Sequence, residues 1–91
     1  MKKNVFQVIE KSFSPDIKLT VKEAKRLIYI EGSSESLKWL AKIIKAYAGQ
    51  NFEDDFWITP KGPGSAYFTK KSTHGIYLYN TDIAEKAQKS K

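Results

Sequence analysis

One segment of this 91-residue chain, residues 25–49 with the sequence KRLIYIEGSSESLKWLAKIIKAYAG, restricts the fold more than any other. It reads as a strand, a tight Gly-Ser turn and one long helix. Ser33 is a good helix N-cap, because its hydroxyl can accept a hydrogen bond from a backbone N–H of the first turn. Glu35 follows where the helix dipole favours an anion. Gly49 is placed to end the helix in the left-handed conformation that glycine adopts without penalty.

The apolar residues of this helix cover more than one face. The stripe that we expect to pack on a sheet consists of Leu37, Leu40, Ala41, Ile44 and Ala48. A solvated stripe consists of Lys38, Lys42 and Lys45. A third set, the spare helix face, consists of Trp39, Ile43 and Tyr47. It widens the apolar arc to roughly 200°, where a surface helix needs about 100°. Another segment or another chain is therefore expected to cover the spare helix face.

Six segments of the chain read as strands, including the one that precedes the helix. Residues 4–9 alternate imperfectly, 16–22 alternate cleanly, and 27–30 are apolar on both faces, which is typical of a central strand covered on two sides. Short strands follow the helix at 56–59, 66–70 and 76–79, separated by turns. We predict an α+β domain over residues 1–80, with a polar, Lys-rich tail over 81–91. Its antiparallel sheet has five or six strands in the order β-β-β-α-β-β-β, with the helix on one face.

The composition is typical of a soluble globular protein. Hydrophobic residues make up 41% and charged residues 29%, which is the balance of a globular domain. No apolar run approaches the ~20 residues that cross a bilayer, and no signal-peptide pattern follows the N-terminal lysines. The chain has no cysteine, which excludes disulfides and thiolate metal sites. We expect a cytoplasmic protein without a membrane partner.

The formal net charge is +6, from 16 Lys and Arg against 10 Asp and Glu. The excess is spread along the chain, and Arg26 is its one arginine. Arginine is the residue usually used for bidentate recognition of phosphates and bases. The basic charge therefore permits nucleic-acid binding without arguing strongly for it.

Alternation in the last three predicted strands collects aromatic residues on the face away from the helix. They are Trp57, Tyr67, Tyr77 and Tyr79, with Tyr29 as a further candidate. Such residues are rigid and amphipathic, and they are enriched in interface cores. Three readings remain open. The aromatic residues stabilise the sheet by cross-strand pairing, or bind a protein partner or second copy, or stack on single-stranded bases. If the chain binds single-stranded nucleic acid, the residues expected to contact its phosphates are Lys18, Lys22, Lys70 and Lys71.

Residues suited to catalysis or metal binding form no recognised pattern. His74 is the single histidine, so a zinc site of the usual His/Cys kinds cannot be assembled within one chain. A Ser-His-carboxylate set drawn from Ser72, His74 and Asp54 or Asp55 lacks a nucleophile-elbow sequence. The acidic residues 53–55 lack the spacing of a calcium loop. We predict no catalytic site, no metal and no cofactor.

The segment Ile30-Glu31-Gly32-Ser33, with the ESL sequence at 35–37, Leu40-Ala41, GPGS at 62–65 and GIYLY at 75–79, resembles small bacterial immunity proteins. These proteins accompany polymorphic or contact-dependent toxin systems, and the similarity covers about residues 27–79. The resemblance implies that Gly32 and Ser33 act as turn and cap, and that Leu37 and Leu40 lie in the core. It also implies a non-enzymatic protein that neutralises a cognate toxin by binding it. Immunity proteins against basic, nucleic-acid-cutting toxins are typically acidic, so the basic charge of this chain implies an acidic or neutral toxin.

The sequence thus predicts a non-enzymatic protein-binding domain, with toxin neutralisation as its specific form. The expected contact surface is either the aromatic sheet face or the spare helix face. A nucleic-acid-binding domain is the alternative, and a homodimer that uses one of these faces is a third possibility. Replacing Tyr67 and Tyr77 with serine is expected to weaken partner binding while the fold is kept.

Overall fold

A computed structural model describes residues 9, 14, 16–50 and 55–83. Two strands, β1 (Leu19–Ala24) and β2 (Leu27–Gly32), precede the helix α1 (Ser34–Ala48). After the helix come strand β3 (Asp55–Ile58), a 3-10 helix (Ser65–Tyr67) and strand β4 (Ile76–Tyr79). The positions of α1, β3 and β4 agree closely with the sequence prediction.

The strands form two separate sheets. β1 pairs antiparallel with β2, and β3 pairs antiparallel with β4, each as a two-stranded sheet. The prediction of one sheet of five or six strands, in the order β-β-β-α-β-β-β with the helix on one face, is therefore wrong. The coarser α+β description holds, because one main helix accompanies two antiparallel strand pairs.

Two predicted strands account for much of this difference. The strand predicted at 4–9 lies outside the described residues except for Ile9, which is helical. The strand predicted at 66–70 is replaced by the 3-10 helix, because Gly64 takes a left-handed φ of 80° and the N–H of Tyr67 bonds back to its carbonyl at 3.0 Å. Phe68 then forms an isolated parallel bridge with Leu19 of β1.

A loop between the 3-10 helix and β4 takes the place of a third strand beside β1. The backbone N–H of Thr69 donates to the Leu19 carbonyl at 2.8 Å, and that of Thr73 donates to the Val21 carbonyl at 2.9 Å. The buried hydroxyl of Ser72 accepts from the Val21 N–H and donates to the Leu19 carbonyl, each at 3.0 Å. The edge of β1 that faces away from β2 is thus hydrogen-bonded although no strand lies there.

Strand β2 lies at an edge. Leu27 and Ile28 are each 58% exposed and Ile30 is 43% exposed, whereas Leu19 and Val21 of β1 are buried. The expectation of a central strand covered on both faces is therefore wrong. A run of apolar residues without alternation is typical of a strand buried on two sides, but here the core lies against β1 and leaves its neighbour uncovered.

The helix begins as the sequence predicts and ends differently. The Ser33 hydroxyl accepts the Ser36 N–H at 3.0 Å, which is the predicted N-cap. At the other end, Gly49 has a right-handed φ of −85°, and its N–H bonds to the Lys45 carbonyl at 3.1 Å. The left-handed termination predicted for Gly49 is wrong.

The buried face of α1 also differs from the prediction. It consists of Ser36, Trp39, Leu40, Ile43 and Tyr47. The predicted core stripe is exposed except at Leu40, and Leu37 and Ile44 are each 42% exposed. The spare helix face lies in the core, because burial of Trp39, Ile43 and Tyr47 removes more apolar surface from water than burial of the predicted stripe would. At the first turn, the buried Ser36 hydroxyl also accepts the Lys18 N–H at 3.0 Å.

Both sheets share one hydrophobic core, which consists of Ile17, Leu19, Val21, Trp39, Leu40, Ile43, Tyr47, Phe56, Ile58 and Phe68. Helix α1 packs against both ends of this core. The Trp39 ring lies 4.5 Å from that of Tyr67, and the Tyr47 ring lies 6.4 Å from that of Phe56. In the part of the chain that the structure describes, no helix is both long and apolar enough to cross a membrane.

Candidate functional site: an exposed aromatic face

Strands β3 and β4 carry three large aromatic side chains on one outer face. Trp57 lies directly opposite Tyr77, and Asp55 lies opposite Tyr79. These aromatic side chains are 49%, 61% and 47% exposed for Trp57, Tyr77 and Tyr79, in that order. We call this surface, formed by Trp57, Tyr77 and Tyr79, the aromatic face.

The local sequence produces the aromatic face by simple alternation. Successive side chains of a strand point to opposite faces, and Phe56 and Ile58 are buried on the inner face. Ile76 and Leu78 of β4 are half-buried against the same core. The ribbon is also anchored at its base, where the Thr59 N–H donates to the Pro63 carbonyl at 2.8 Å. The aromatic face is therefore held on a fixed backbone.

A hydrogen bond links Tyr77 to the one acidic residue of this face. The Tyr77 hydroxyl donates to Oδ2 of Asp55 at 3.1 Å. This bond raises the pKa of Tyr77 above its ordinary value, because ionisation would break the bond and place a phenolate beside a carboxylate. The Asp55 carboxylate thus makes ionisation of Tyr77 harder than that of an ordinary tyrosine.

A shallow depression of about 330 Å³ lies beside the aromatic face. Its lining consists of Trp57, Ile58, Thr59, Gly75, Ile76 and Tyr77. Gly75 shapes its floor, because a Cβ at this position would collide with the Ile58 carbonyl. The surface thus combines aromatic edges with a recess that could receive an apolar side chain of a partner.

The structure brings together three of the four aromatic residues predicted for this surface. The fourth, Tyr67, packs on Trp39 instead, and burial raises the pKa of its hydroxyl. Tyr29 lies in the other sheet, on β2, with the Lys22 ammonium 5.9 Å from its ring centre. Serine at position 67 would therefore disturb the core contact with Trp39, so the pair suited to a binding test is Trp57 and Tyr77.

The spare helix face is not available as a contact surface. Trp39, Ile43 and Tyr47 are all buried. The Tyr47 hydroxyl accepts the Asn80 N–H at 3.1 Å, which ties the helix to the end of β4. These three residues are core residues, and the expectation that they meet a foreign partner is corrected on that ground.

The lysines proposed for nucleic-acid binding lie on or beside β1. The Lys18 ammonium donates to the Ala66 carbonyl at 2.6 Å, and Lys22 forms an ion pair with Glu31 at 3.7 Å. Lys70 and Lys71 are exposed in the loop that covers the edge of β1. Two of the four cations are thus already engaged within the chain.

The Ser72 hydroxyl bonds to the backbone of β1, and His74 lies exposed in the same loop. Both hydrogen bonds of the Ser72 hydroxyl go to β1. His74 is exposed, with its Nδ1 2.8 Å from the Thr73 hydroxyl, and Asp55 is bonded to Tyr77. Among the described residues, no group of three His, Cys, Asp or Glu could hold a metal ion. Residues 53 and 54 lie outside the described part of the chain.

Two exposed apolar features were missed at the sequence level. They are the outer edge of β2 and the helix stripe that contains Leu37 and Ile44. In β2 the consecutive residues 27–30 are all apolar, and such a run carries no signal that separates a covered strand from an open one. The exposure of β2 could have been predicted only with knowledge of where the core lies.

Comparison of the chain with profiles of known protein families, with characterised proteins and with solved structures found no match.

Proposed function

We propose that this chain is a non-enzymatic protein-binding domain and that the aromatic face is its contact surface. The observation that carries the proposal is the arrangement of Trp57, Tyr77 and Tyr79. Each is about half-exposed, and they stand side by side on a ribbon whose other face is fixed in the core. Clustered exposed aromatic residues of this kind mark interaction sites more often than isolated ones do.

The aromatic face costs little side-chain entropy to order against a partner. Tyrosine and tryptophan have few rotatable bonds, so a partner that covers them gains contact area with little loss of side-chain entropy. On this face the Tyr77 hydroxyl donates a hydrogen bond to Asp55. The Asp55 carboxylate also gives the rim of the face a negative charge, which favours a partner with a basic or hydrogen-bond-donating group there.

Neutralisation of a toxin is the specific form that we propose for this binding. Its support is the sequence resemblance of the junction Ile30–Ser33 and of the first turn of α1 to bacterial immunity proteins. Those residues act in the fold as the helix cap and its approach. The identity of the partner as a toxin therefore rests on the resemblance, whereas the location of the contact rests on the aromatic face.

The binding test compares single-residue variants against one partner. The partner would be captured on the immobilised chain from a lysate of the organism that encodes it, identified, purified and titrated calorimetrically. We expect Trp57→Ser to weaken binding by more than roughly tenfold, as an interface anchor does, and Tyr77→Ser to weaken it as well. Leu37→Ser is the control, because this exposed apolar residue lies on α1 and not on β3 or β4. Unchanged affinity of Trp57→Ser, with a normal far-UV spectrum, would remove the aromatic face from the interface.

A second measurement separates this proposal from nucleic-acid binding. In the variant Trp39→Phe, Trp57 is the one remaining tryptophan and its emission reports on the aromatic face. Titration with a single-stranded oligonucleotide is expected to leave that emission unchanged. Quenching that weakens steeply with added salt would instead support base stacking with counterion release.

A further inference from the structure

Within residues 16–50 and 55–83, no strand pairs with the outer edge of β2, which we call the open edge. The turn between β1 and β2 has two residues, Lys25 and Arg26, both with left-handed φ angles. In such a hairpin the residues that flank the turn form a hydrogen-bonded pair, and hydrogen-bonded and non-hydrogen-bonded pairs then alternate along the ladder. The register therefore directs the N–H and C=O groups of Ile28 and Ile30 away from β1.

Strand β1 supports this assignment of directions. The same alternation turns the N–H and C=O of Val21, the partner of Ile30, away from β2. Both groups bond on that side, the N–H to Ser72 and the C=O to Thr73. The outward groups of β1 are thus satisfied. No hydrogen bond from any described residue reaches the outward groups of Ile28 and Ile30.

The open edge carries little of the usual protection, since Glu31 is its one charged residue. Natural edge strands are guarded by lysine, proline, a bulge or very short length, because unpaired strand edges recruit other strands. β2 is a regular strand of six residues, LIYIEG, without lysine or proline. Its side chains on the helix-facing side, Ile28 and Ile30, are 58% and 43% exposed. An edge of this kind is suited to pairing with a further strand.

We propose that β2 pairs antiparallel with β2 of a second copy of this chain, so that the two hairpins form a four-stranded sheet across a two-fold axis. The charges near the two ends of β2 favour antiparallel pairing with β2 of a second copy. Lys25 and Arg26 precede β2, whereas Glu31 lies near its end and Glu35 follows in the helix. Antiparallel pairing brings the basic turn of each copy beside the acidic end of the other, and parallel pairing would place like charges together.

When the two copies of β2 pair in a register centred on Tyr29, the outward N–H and C=O groups of Ile28 and Ile30 are all hydrogen-bonded. Ile28 of each copy then lies opposite Ile30 of the other as a hydrogen-bonded pair, and the two Tyr29 side chains meet as a non-hydrogen-bonded pair. Arg26 of each copy comes within reach of Glu31 of the other. The aromatic face lies on the other sheet, so this dimer leaves the proposed protein-binding surface open.

The first test is the solution molar mass as a function of concentration, by sedimentation equilibrium on nucleic-acid-free protein. We expect a monomer–dimer equilibrium that Ile30→Lys shifts to monomer. Ile44→Lys is the matched control, since Ile44 is exposed to the same degree on α1. A wild-type chain that stays monomeric up to millimolar concentration overturns the proposal. So does a dimer that Ile30→Lys leaves intact.

A charge exchange tests the antiparallel arrangement independently of that variant. Arg26→Glu is expected to weaken the dimer, and adding Glu31→Arg is expected to restore it. Within one copy these residues lie five positions apart along an extended strand, about 17 Å, so restoration requires a contact between copies. Failure of the double variant to restore the dimer contradicts the antiparallel pairing.

A disulfide cross-link at position 29 tests where the two-fold axis of the proposed dimer lies. The chain has no cysteine, so Tyr29→Cys introduces a single thiol. Opposed residues of a non-hydrogen-bonded pair have Cα atoms about 4.5 Å apart, which a disulfide can span. Mild oxidation is therefore expected to convert this variant to a covalent dimer, and Tyr77→Cys, on the aromatic face, to remain monomeric. Cross-linking through Tyr77→Cys alone would assign self-association to the aromatic face. Protection of the β2 amides by a foreign protein alone would assign the edge to that protein, and either result overturns the proposal.

Discussion

The hydrogen bond between Tyr77 and Asp55 makes the ionisation of this tyrosine depend on a neighbouring carboxylate. The bond raises the pKa of Tyr77 above 10.0 in the folded chain. We expect Asp55→Asn to lower that pKa toward the ordinary value, because the amide carries no negative charge to oppose a phenolate. The measurement is the ultraviolet absorbance of tyrosinate during an alkaline titration, taken as the difference from Tyr77→Phe.

The sign of the accompanying stability change follows from the direction of that shift. A hydroxyl whose folded pKa is raised contributes stability that is fully present below its unfolded pKa, near 10.0, and is lost as the pH rises through the folded value. The wild-type chain should therefore lose stability more steeply with alkaline pH than Tyr77→Phe does. Parallel pH profiles for the two proteins would show that the bond is not formed in solution.

A second residue-scale prediction concerns Ser72, whose hydroxyl replaces strand pairing at the edge of β1. Ser72→Ala leaves the Val21 N–H buried without a partner, while the Leu19 carbonyl keeps its bond from Thr69. The expected loss is about 1–3 kcal/mol in the free energy of unfolding, measured in urea. Thr73→Ala is the control, because Thr73 is exposed and its hydroxyl meets only His74. Equal losses in the two variants would contradict the structural role of the Ser72 hydroxyl.

At the scale of single elements, the rotation of α1 decides which of two neighbouring isoleucines lies in the core. Ile43 is fully buried, whereas Ile44 is 42% exposed. We expect Ile43→Ala to lower the free energy of unfolding by about 2–5 kcal/mol through the cavity that it leaves. Ile44→Ala should cost less than about 1 kcal/mol, since this side chain is already 42% exposed and its removal leaves no enclosed cavity. Urea denaturation of the two variants compares them directly, and the reverse order of costs would mean that the stripe read from the sequence faces the core.

At the scale of the whole molecule, two small sheets depend on one core. A two-stranded sheet is marginal in water by itself, so β1–β2 and β3–β4 are stable because α1 and the loop beside β1 join them. We therefore expect one cooperative unfolding transition. Trp39 reports on the packing around Tyr67, and Trp57 reports on the β3–β4 ribbon. The two reporters are separated in the variants Trp57→Phe and Trp39→Phe.

Within each of these variants, the fluorescence and far-UV circular dichroism transitions should have the same midpoint in urea. Because both probes are read on one protein, any destabilisation caused by the substitution affects them equally. A fluorescence midpoint that departs from the circular dichroism midpoint would mean that the two sheets unfold as separate units.

Local patterns predicted the features that depend on a few neighbouring residues. The N-cap at Ser33 and the strands β3 and β4 follow from capping chemistry and period-two alternation, which act within a turn or a strand. The aromatic face follows from that same alternation for Trp57, Tyr77 and Tyr79. These parts of the prediction needed no knowledge of the rest of the chain.

The tertiary structure alone decided how many sheets form and which faces are covered. The first turn of α1 is bonded through Ser36 to Lys18, 18 residues away, and the covered edge of β1 depends on the bond between Ser72 and Val21, 51 residues apart. No window of neighbouring residues contains both partners of either bond. The same holds for β2, whose apolar run is compatible with a covered or an open strand. Its exposure was decided by where the core formed, because the core packs against β1 and leaves the outer edge of β2 in solvent.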